Sequence, residues 1–361
     1  MTTIYLIRHA EAEGNLYRIA HGQYDSILTD RGLAQVEALQ QRFADIPVDA
    51  VYSSDLRRAC QTAAALFVPK GLPLQKRRDL REVSMGVWEQ KTWGEIEQDE
   101  PEALTRFTRR LDLWQVEGSE TAAIVRDRMV AALRDIAAQN PGKTVAAFSH
   151  GAALRILLGT LQGFSLEQLG DTPHGDNTAV SRIEAEGDSL RVVYRDDNSH
   201  VAKKLSTFAA QTWWKHENAI EPGLYFRPLA LPEQQDWLLS RDEEGRPLEE
   251  VAIRPTLCAW LEGTPMGILQ LYPEKEAESG NGWISIYYMT PETRNHGYGI
   301  QLLGQAVRLY RPMGRKRLRI ALSPAHRQAQ PFFERYGFHP VAGQTDDGCT
   351  IWEKNIGMDD E

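Results

Sequence analysis

Three short segments of this 361-residue chain carry side chains that could bind and transform an anion. The first holds Arg8 and His9, the second holds Arg58, and the third holds His150. Guanidinium groups match the oxygens of phosphate, and imidazole can act as a nucleophile or exchange a proton near neutral pH. These residue types indicate chemistry on a doubly charged anion, for which phosphate is the obvious candidate.

Each of these segments follows an apolar run that predicts a buried strand, and each precedes a helical pattern. The predicted strands are residues 4–7, 48–52 and 144–148, with a closing hairpin at 180–184 and 190–195. The predicted helices include 30–43, capped by Thr29, a helix capped by Ser54-Asp55 that runs to Phe67, and 151–161. Strands that alternate with helices predict an α/β sandwich with a mostly parallel sheet. Ligands bind beyond the carboxyl ends of such strands, so the three segments should meet there.

Composition limits the classes of protein that this chain can belong to. It is 42% hydrophobic and 25% charged, which is typical of a globular protein, and its net charge of −9 argues against a general binder of nucleic acids or anionic membranes. No basic segment followed by a long apolar one begins the chain, and the apolar stretch 152–161 is too short to span a membrane. Cys60, Cys258 and Cys349 are scattered, which favours free thiols and a cytoplasmic location.

The length of the chain favours two domains, and the absence of an internal repeat indicates that they differ. We expect a first domain at 1–205, a linker at 206–222 and a second domain at 223–361, with a hinge at Glu221-Pro222-Gly223. The pattern of the second domain predicts strands at 225–229, 252–262, 266–272, 283–289 and 317–322, and helices at 232–240, 299–310 and 328–336.

Four motifs of the first domain resemble those of the histidine phosphatase superfamily, which includes the cofactor-dependent phosphoglycerate mutases. They are LIRHAEAEGN (6–15), YSSDLRRACQTA (52–63), LREVSMGVWE (80–89) and FSHG (148–151). The resemblance implies a three-layer α/β/α sandwich of the phosphoglycerate mutase type. Ala10 departs from the family, which usually has glycine there, but a small residue should still let the backbone approach phosphate.

The resemblance also implies a role for each polar residue. His9, neutral on the attacking nitrogen, would attack phosphorus, and Glu82 would protonate the leaving oxygen and later deprotonate the hydrolytic water. The phosphoryl oxygens would be bound by Arg8, Asn15, Arg58 and His150. Because arginines supply the positive charge, no metal is expected. The third motif and the short insert after it look more like phosphatases than mutases, and a mutase remains the alternative. The substrate would be a small phosphorylated metabolite.

The second domain contains Arg294-x-x-Gly297-x-Gly299 between a predicted strand and a predicted helix, which suits a pyrophosphate. This segment resembles the acetyl-CoA loop of the GCN5-related N-acetyltransferases, and AQPFFERYGF (329–338) resembles the family's helix that ends in Gly-Phe. The resemblance implies an α+β fold with a mixed sheet, acetyl-CoA as cosubstrate and a small amine or aminoacyl acceptor. The implied cosubstrate-binding residues are Met289, Arg294, Asn295, His296, Gly297, Tyr298 and Gly299.

Two departures from that family bear on the chemistry of the second domain. Phe333 replaces the tyrosine that often protonates the departing CoA thiolate, and His326 replaces a common asparagine. Either another group, such as His326 or Tyr336, is the acid, or the domain binds CoA without efficient transfer. The sequence thus favours a fused phosphatase and acetyltransferase, with a CoA-sensing module as the alternative for the second domain.

Overall fold

The chain forms two compact units. The structure, a computed structural model, describes residues 1–210, 223–230, 254–345 and 348–358. The first unit comprises Met1–Lys91 and Ile96–Glu221, and the second comprises Thr92–Glu95 and Pro222–Glu361. Among the described helices, none is both long and apolar enough to cross a bilayer.

The first unit is built on a six-stranded sheet in the order β3-β2-β4-β1-β5-β6. Its strands are β1 Thr2–Arg8, β2 Ala50–Ser54, β3 Leu74–Arg77, β4 Thr144–Ser149, β5 Val180–Glu186 and β6 Ser189–Asp197. Strands β3, β2, β4 and β1 are parallel, whereas β5 and β6 form an antiparallel hairpin beside β1. The predicted α/β fold with a mostly parallel sheet is therefore confirmed, together with its closing hairpin.

Helices cover this sheet on both faces. The α-helices of residues 1–210 are α1 Glu13–Tyr17, α2 Asp30–Arg42, α3 Arg57–Phe67, α4 Trp93–Asp99, α5 Pro101–Arg109, α6 Ala122–Gln139, α7 Gly151–Leu161 and α8 Thr207–Ala210; the first three residues of α4 belong to the second unit. Short 3-10 turns lie at Arg78–Leu80, Gly86–Trp88 and Leu166–Asp171. Buried side chains of α2 and α3 pack with alternate residues of β1 and β4, including Ile7 and Phe148. Helices α6 and α7 pack on each other and on β1. Alternation along β1 directs Ile4 and Leu6 to the face opposite Ile7.

The caps of two helices test the local predictions. Thr29 caps α2, as expected, by accepting a hydrogen bond from the backbone N–H of Gly32. The predicted Ser54-Asp55 cap of α3 is wrong, because the helix begins at Arg57 and Leu56 is its N-cap residue, without a side-chain cap. Both expected cap residues have other partners: the Ser54 hydroxyl lies 2.8 Å from an imidazole nitrogen of His150, and the carboxylate of Asp55 pairs with Arg81.

The register of the sheet brings the three predicted junctions to the same edge. Arg8, the last residue of β1, lies opposite Ser149, the last residue of β4. On the other side of β4, Phe148 lies opposite Ser53 of β2. The backbone N–H of His9 then donates to the carbonyl of Ser149 at 2.9 Å. The residues that follow these strands therefore start from neighbouring points at the carboxyl edge of the sheet.

The second unit contains a mixed sheet in its described residues, in the order β12-β13-β11-β10-β9-β8-β7. These strands are β7 Tyr225–Pro228, β8 Thr256–Leu261, β9 Thr264–Tyr272, β10 Asn281–Met289, β11 Arg317–Leu322, β12 His339–Gln344 and β13 Thr350–Asn355. Only β10 and β11 are parallel neighbours among them. The predicted mixed sheet is confirmed.

Two α-helices of the described part accompany this sheet, α9 Gly299–Tyr310 and α10 Gln330–Arg335. Short 3-10 turns occur at Ala277–Ser279, Pro291–Thr293, Arg311–Met313 and Pro324–Ala329. Helix α9 has the bounds that the sequence predicts, whereas the predicted helix at 328–336 is shorter and follows a 3-10 turn. The predicted helix at 232–240 lies outside the described residues.

Candidate active site

His9 directly follows β1, and the protein holds its ring in one tautomer. The side chain is 3% exposed, and its Nδ1 lies 2.7 Å from the carbonyl oxygen of Ala10. Because a carbonyl can only accept a hydrogen bond, Nδ1 carries the proton, and Nε2 of the neutral ring keeps a lone pair. Burial, followed by the positive charges of Arg58 and Arg8, holds the pKa of His9 well below its ordinary value of 6.5. The ring is thus neutral at physiological pH, with an unprotonated Nε2.

Two arginines beside His9 are held by backbone carbonyls rather than by carboxylates. Arg58, in the first turn of α3, is fully buried and donates to the carbonyls of Tyr24 and Gly22, each at 2.8 Å. Arg8 donates to the carbonyl of Gly175 at 2.6 Å. Burial lowers the pKa of Arg58 to about 10, so its guanidinium keeps its charge at neutral pH. These contacts fix the two cations without neutralising them, as a site for an anion requires.

His150 and Glu82 meet at the start of α7. The fully buried His150 is the N-cap residue of this helix; its Nε2 lies 2.8 Å from Oγ of Ser54, and its ring centroid lies 5.2 Å from that of His9. The carboxylate of Glu82 accepts hydrogen bonds from the backbone N–H groups of Ala152 (3.1 Å) and Ala153 (2.8 Å). Burial first, and then the charge of Arg58, holds the pKa of His150 well below its ordinary value.

Buried nitrogen atoms without partners occur around these two histidines. Within the described residues, Nε of Arg8, Nε of Arg58 and Nδ1 of His150 have no hydrogen-bond partner. Buried polar groups are normally satisfied, so these three nitrogens remain available for hydrogen bonds to a bound group. The structure thus brings together five of the six side chains that the sequence suggests for phosphate chemistry, namely Arg8, His9, Arg58, Glu82 and His150.

Asn15 and Ala10, the other two positions singled out in the first motif, make contacts within the protein. Oδ1 of Asn15 accepts a hydrogen bond from the backbone N–H of Ala12 at 3.0 Å and so helps to cap α1. Donation from Asn15 to a phosphoryl oxygen therefore stays a prediction. Ala10 is fully buried, and its N–H donates to the hydroxyl of Thr62 at 2.9 Å.

His21 also lies beside His9, although the sequence pattern does not predict it as a site residue. Its Nε2 accepts hydrogen bonds from the backbone N–H of Gly14 (2.7 Å) and from the hydroxyl of Ser26 (2.9 Å), which leaves its proton on Nδ1. Its ring centroid lies 6.4 Å from that of His9. Burial, then Arg58, holds its pKa well below the ordinary value. No strand directly precedes His21, so the pattern of strand ends does not predict it.

The predicted cosubstrate loop of the second unit follows the part of β10 that no longer pairs with β11. Pairing of β10 with β11 ends at Ile284 and Ile320, so the rest of β10, up to Met289, runs on without β11. Residues 291–298 then lead into α9, and Nε of Arg294 donates to the carbonyl of Met289 at 3.0 Å. Asn295, His296 and Gly297 are exposed. The first N–H groups of a helix have no acceptor one turn earlier, so the start of α9 can bind an anionic group; the N–H of Gln301 already donates to the Tyr298 carbonyl at 3.0 Å.

The two glycines of this loop serve different purposes. Gly297 has a φ of +83°, which glycine adopts readily, and a Cβ there would meet no atom within 4 Å. A Cβ on Gly299 would lie 3.2 Å from the ring of Phe332. The hydroxyl of Tyr287 also donates to the carbonyl of Gly299. Gly299 therefore allows α9 to begin close against two aromatic side chains.

Phe333 is a core residue of the second unit. It is 2% exposed, and its ring packs edge-on against those of Tyr287, Phe332 and Phe338 at centroid distances of 5.3, 5.2 and 5.2 Å. Tyr336 is half-buried, with its ring 5.0 Å from that of Phe332. Packing accounts for Phe333, which has no proton to donate.

The described residues contain no group of three or more histidine, cysteine or acidic side chains that could hold a metal ion.

Comparison with known proteins identifies two regions. Residues 4–198 match the family described as "Histidine phosphatase superfamily (branch 1)", and residues 212–338 match the "Acetyltransferase (GNAT) family".

Three known proteins illustrate the similarity. The "Metal-independent phosphoserine phosphatase" of Arabidopsis thaliana is 35% identical over 164 residues, 44% of this chain and 67% of the relative. A Yersinia pestis protein named "Probable phosphoglycerate mutase GpmB" is 32% identical over 163 residues, 45% of this chain and 76% of the relative. The solved structure of Bacillus stearothermophilus YhfR is 32% identical and superposes with a TM-score of 0.54, covering 56% of this chain and all of that one.

Proposed function

Because this chain belongs to the histidine phosphatase superfamily and also carries a GNAT-family domain, we propose that its first unit hydrolyses phosphomonoesters through a phosphohistidine at His9. One observation carries the proposal: the hydrogen bond from Nδ1 of His9 to the Ala10 carbonyl leaves Nε2 as the unprotonated nitrogen, near the fully buried Arg58 and the partly buried Arg8. A neutral imidazole is a nucleophile, and the arginines bind the group that it attacks.

The reaction follows in two balanced steps. Nε2 of His9 forms a bond to phosphorus as the bond to the leaving oxygen breaks, and the carboxyl group of Glu82 gives that oxygen its proton. Charge on the transferring oxygens is stabilised by Arg8, Arg58 and His150. In the second step, Glu82 takes a proton from water, the water oxygen attacks phosphorus, and the bond to His9 breaks. Inorganic phosphate leaves, and both residues regain their starting forms.

The substrate is a small phosphorylated metabolite, and the reaction uses no metal ion. The name of the Arabidopsis relative supports metal independence, and the paired arginines supply the charge that a metal would otherwise provide. The test is hydrolysis of p-nitrophenyl phosphate by the full chain with and without a chelator. Equal rates are expected, whereas loss of activity with the chelator would contradict the proposal.

A mutase is the second candidate, because one relative bears that name. Incubation with a phosphoglycerate separates the two activities: a phosphatase releases inorganic phosphate, whereas a mutase yields the isomeric phosphoglycerate. The sequence of residues 80–89 favours the phosphatase, as does the similarity to the Arabidopsis enzyme.

For the second unit we propose acetyl-CoA binding at the loop 294–299 and acetyl transfer to a small amine or aminoacyl acceptor. The start of α9 and the parting of β10 from β11 support the binding site. Buried Phe333 donates no proton, so a domain that senses CoA is the alternative. We propose that the first domain spans 1–205, the linker 206–222 and the second domain 223–361. The proposed linker contains the short helix α8, Thr207–Ala210. We also propose a cytoplasmic location for the protein.

Calorimetry with acetyl-CoA tests the second site. Gly297→Val forces a branched side chain into a positive φ and should abolish binding while hydrolysis of p-nitrophenyl phosphate continues. Gly263→Val is the matched control, since it also has a positive φ, of +80°, and open space, but lies in the β8–β9 turn. Equal binding by the parent and Gly297→Val, or no binding by the parent, would contradict the assignment.

A further inference from the structure

Arg128 of α6 holds the loop that carries Glu82 by its backbone. One terminal nitrogen of its guanidinium donates to the carbonyls of Asp79 (3.0 Å) and Arg81 (2.8 Å), and the other donates to the carbonyl of Glu82 itself (3.0 Å). Three carbonyls within four consecutive residues thus accept from one side chain. Only 17% of the Arg128 side chain is exposed, so these charge-assisted contacts are largely screened from water.

Glu120 holds the same loop from the other side of Glu82. Its two carboxylate oxygens accept from Nε and Nη2 of Arg128, both at 2.8 Å. One of them also accepts from the backbone N–H of Ser84 at 2.9 Å, and the N–H of Glu120 donates to the Ser84 carbonyl at 3.0 Å. Burial acts to raise the pKa of Glu120, but the hydrogen bonds from Arg128 and Ser84 outweigh it and lower that pKa. The ion pair of Arg128 and Glu120 therefore remains charged, and it hydrogen-bonds to the backbone both before and after Glu82.

We propose that Arg128 and Glu120 are positioning residues for the proton transfer that Glu82 performs. Neither is assigned contact with the reacting atoms; both fix the backbone from which the Glu82 carboxylate reaches the start of α7, beside His150. The inference rests on the proposed function, in which Glu82 is the general acid. Proton transfer requires heavy atoms within roughly 2.6–3.2 Å, so a small shift of this loop should impair the acid without disturbing the phosphate-binding groups.

Leaving-group dependence provides a readout that a merely structural role would not move. In the full chain, Arg128→Met should lower kcat for an alkyl phosphate such as glycerol phosphate by roughly 10- to 100-fold. Its kcat for p-nitrophenyl phosphate should change by less than about threefold, because that leaving oxygen needs little protonation. Inhibition by inorganic phosphate should be unchanged, since the arginines that bind it are untouched. Glu120→Gln, which keeps the size of the side chain, should show the same selectivity.

Arg126→Met is the matched control, because Arg126 lies on the same helix and pairs with its exposed neighbour Asp127 at 2.8 Å. The Arg126→Met variant should have the same kcat as the parent for both glycerol phosphate and p-nitrophenyl phosphate. The double variant Glu82→Gln/Arg128→Met should lose no more activity on glycerol phosphate than Glu82→Gln does, because the acid that Arg128 positions is already absent. An additive loss would contradict the inference.

The outcome for Glu82→Gln separates this inference from the proposed function. If Glu82→Gln slows both substrates equally, the proposed role of Glu82 as general acid fails. If Glu82→Gln is selective while Arg128→Met and Glu120→Gln slow both substrates equally or neither, the positioning role alone is overturned.

Discussion

The buried imidazole of His9 should make the stability of the first unit depend on pH in a way that one substitution removes. The perturbation is His9→Asn, with the free energy of unfolding of parent and variant measured at about pH 7.5 and about pH 5.5. In the folded protein the pKa of His9 lies well below 6.5, because burial and then the charges of Arg58 and Arg8 oppose its protonation. In the unfolded chain the ring takes up a proton near pH 6.5.

The sign and size of the effect follow from proton linkage. Below pH 6.5 the unfolded chain binds a proton that the folded protein does not, so the stability due to neutral His9 is lost as the pH falls. A ring that stays neutral in the folded protein lowers the free energy of unfolding by about 1.4 kcal/mol between pH 7.5 and 5.5. His21 and His150 behave similarly, but their contributions cancel when parent and variant are compared. The parent should therefore lose about 1.4 kcal/mol more than His9→Asn.

Pulse hydrogen exchange across a urea series measures this difference in the full chain. Mass spectrometry of peptides from β1 and β4 then reports the first unit separately from the second. Thr62→Val is the control, because Thr62 is fully buried and contacts the same loop but does not titrate. Thr62→Val should lower the free energy of unfolding by the same amount at both pH values. A difference between parent and His9→Asn that does not change with pH would refute the claim that the fold holds His9 neutral.

Three further results are expected. The acid limb of kcat/KM should lie below pH 6.5 after correction for ionisation of the substrate, as a pH profile of the parent would show, and a limb above 6.5 would contradict the lowered pKa of His9. Arg58→Lys cannot span the carbonyls of Gly22 and Tyr24 while binding an anion, so kcat/KM should fall by roughly 100-fold and inhibition by phosphate should weaken; parent-like values would argue against the site. Gly86→Ala should destabilise the first unit by about 3 kcal/mol, because its Cβ would lie 1.9 Å from the Glu117 carbonyl oxygen. Gly71→Ala, with a similar φ but open space around the Cβ, should destabilise it by only about 1 kcal/mol. Equal shifts of the thermal unfolding midpoint in the two variants would refute this.

The sequence predicts the sheet of the first unit well, because each central strand is a short apolar run that ends in a polar motif. Parallel strands share a carboxyl edge, so the sequence pattern alone predicts that Arg8, His9, Arg58 and His150 lie together. Glu82 required the family resemblance, since no strand leads directly to it. In the structure its carboxylate accepts hydrogen bonds from the first turn of α7, the helix that begins after His150.

The residues that the sequence misses act through contacts that local patterns do not encode. Arg126 and Arg128 are alike in the sequence, yet only Arg128 reaches the carbonyls of the Glu82 loop. Ser54 and Asp55 look like helix caps, but Ser54 contacts His150 and accepts a hydrogen bond from the N–H of Leu56, and Asp55 pairs with Arg81. At these two positions, long-range hydrogen bonds therefore outweigh the preference of serine and aspartate for capping a helix.

The central claim is that a phosphoryl group is carried by His9, and trapping it in the full chain is the most direct test. Protein mixed with a radiolabelled phosphomonoester is quenched within one turnover in alkali, and the labelled peptide is identified. The account predicts an acid-labile, alkali-stable label on His9 that forms and decays at rates compatible with turnover and is absent from His9→Ala. Turnover without labelled protein, or a label on His150 or His21, would contradict it.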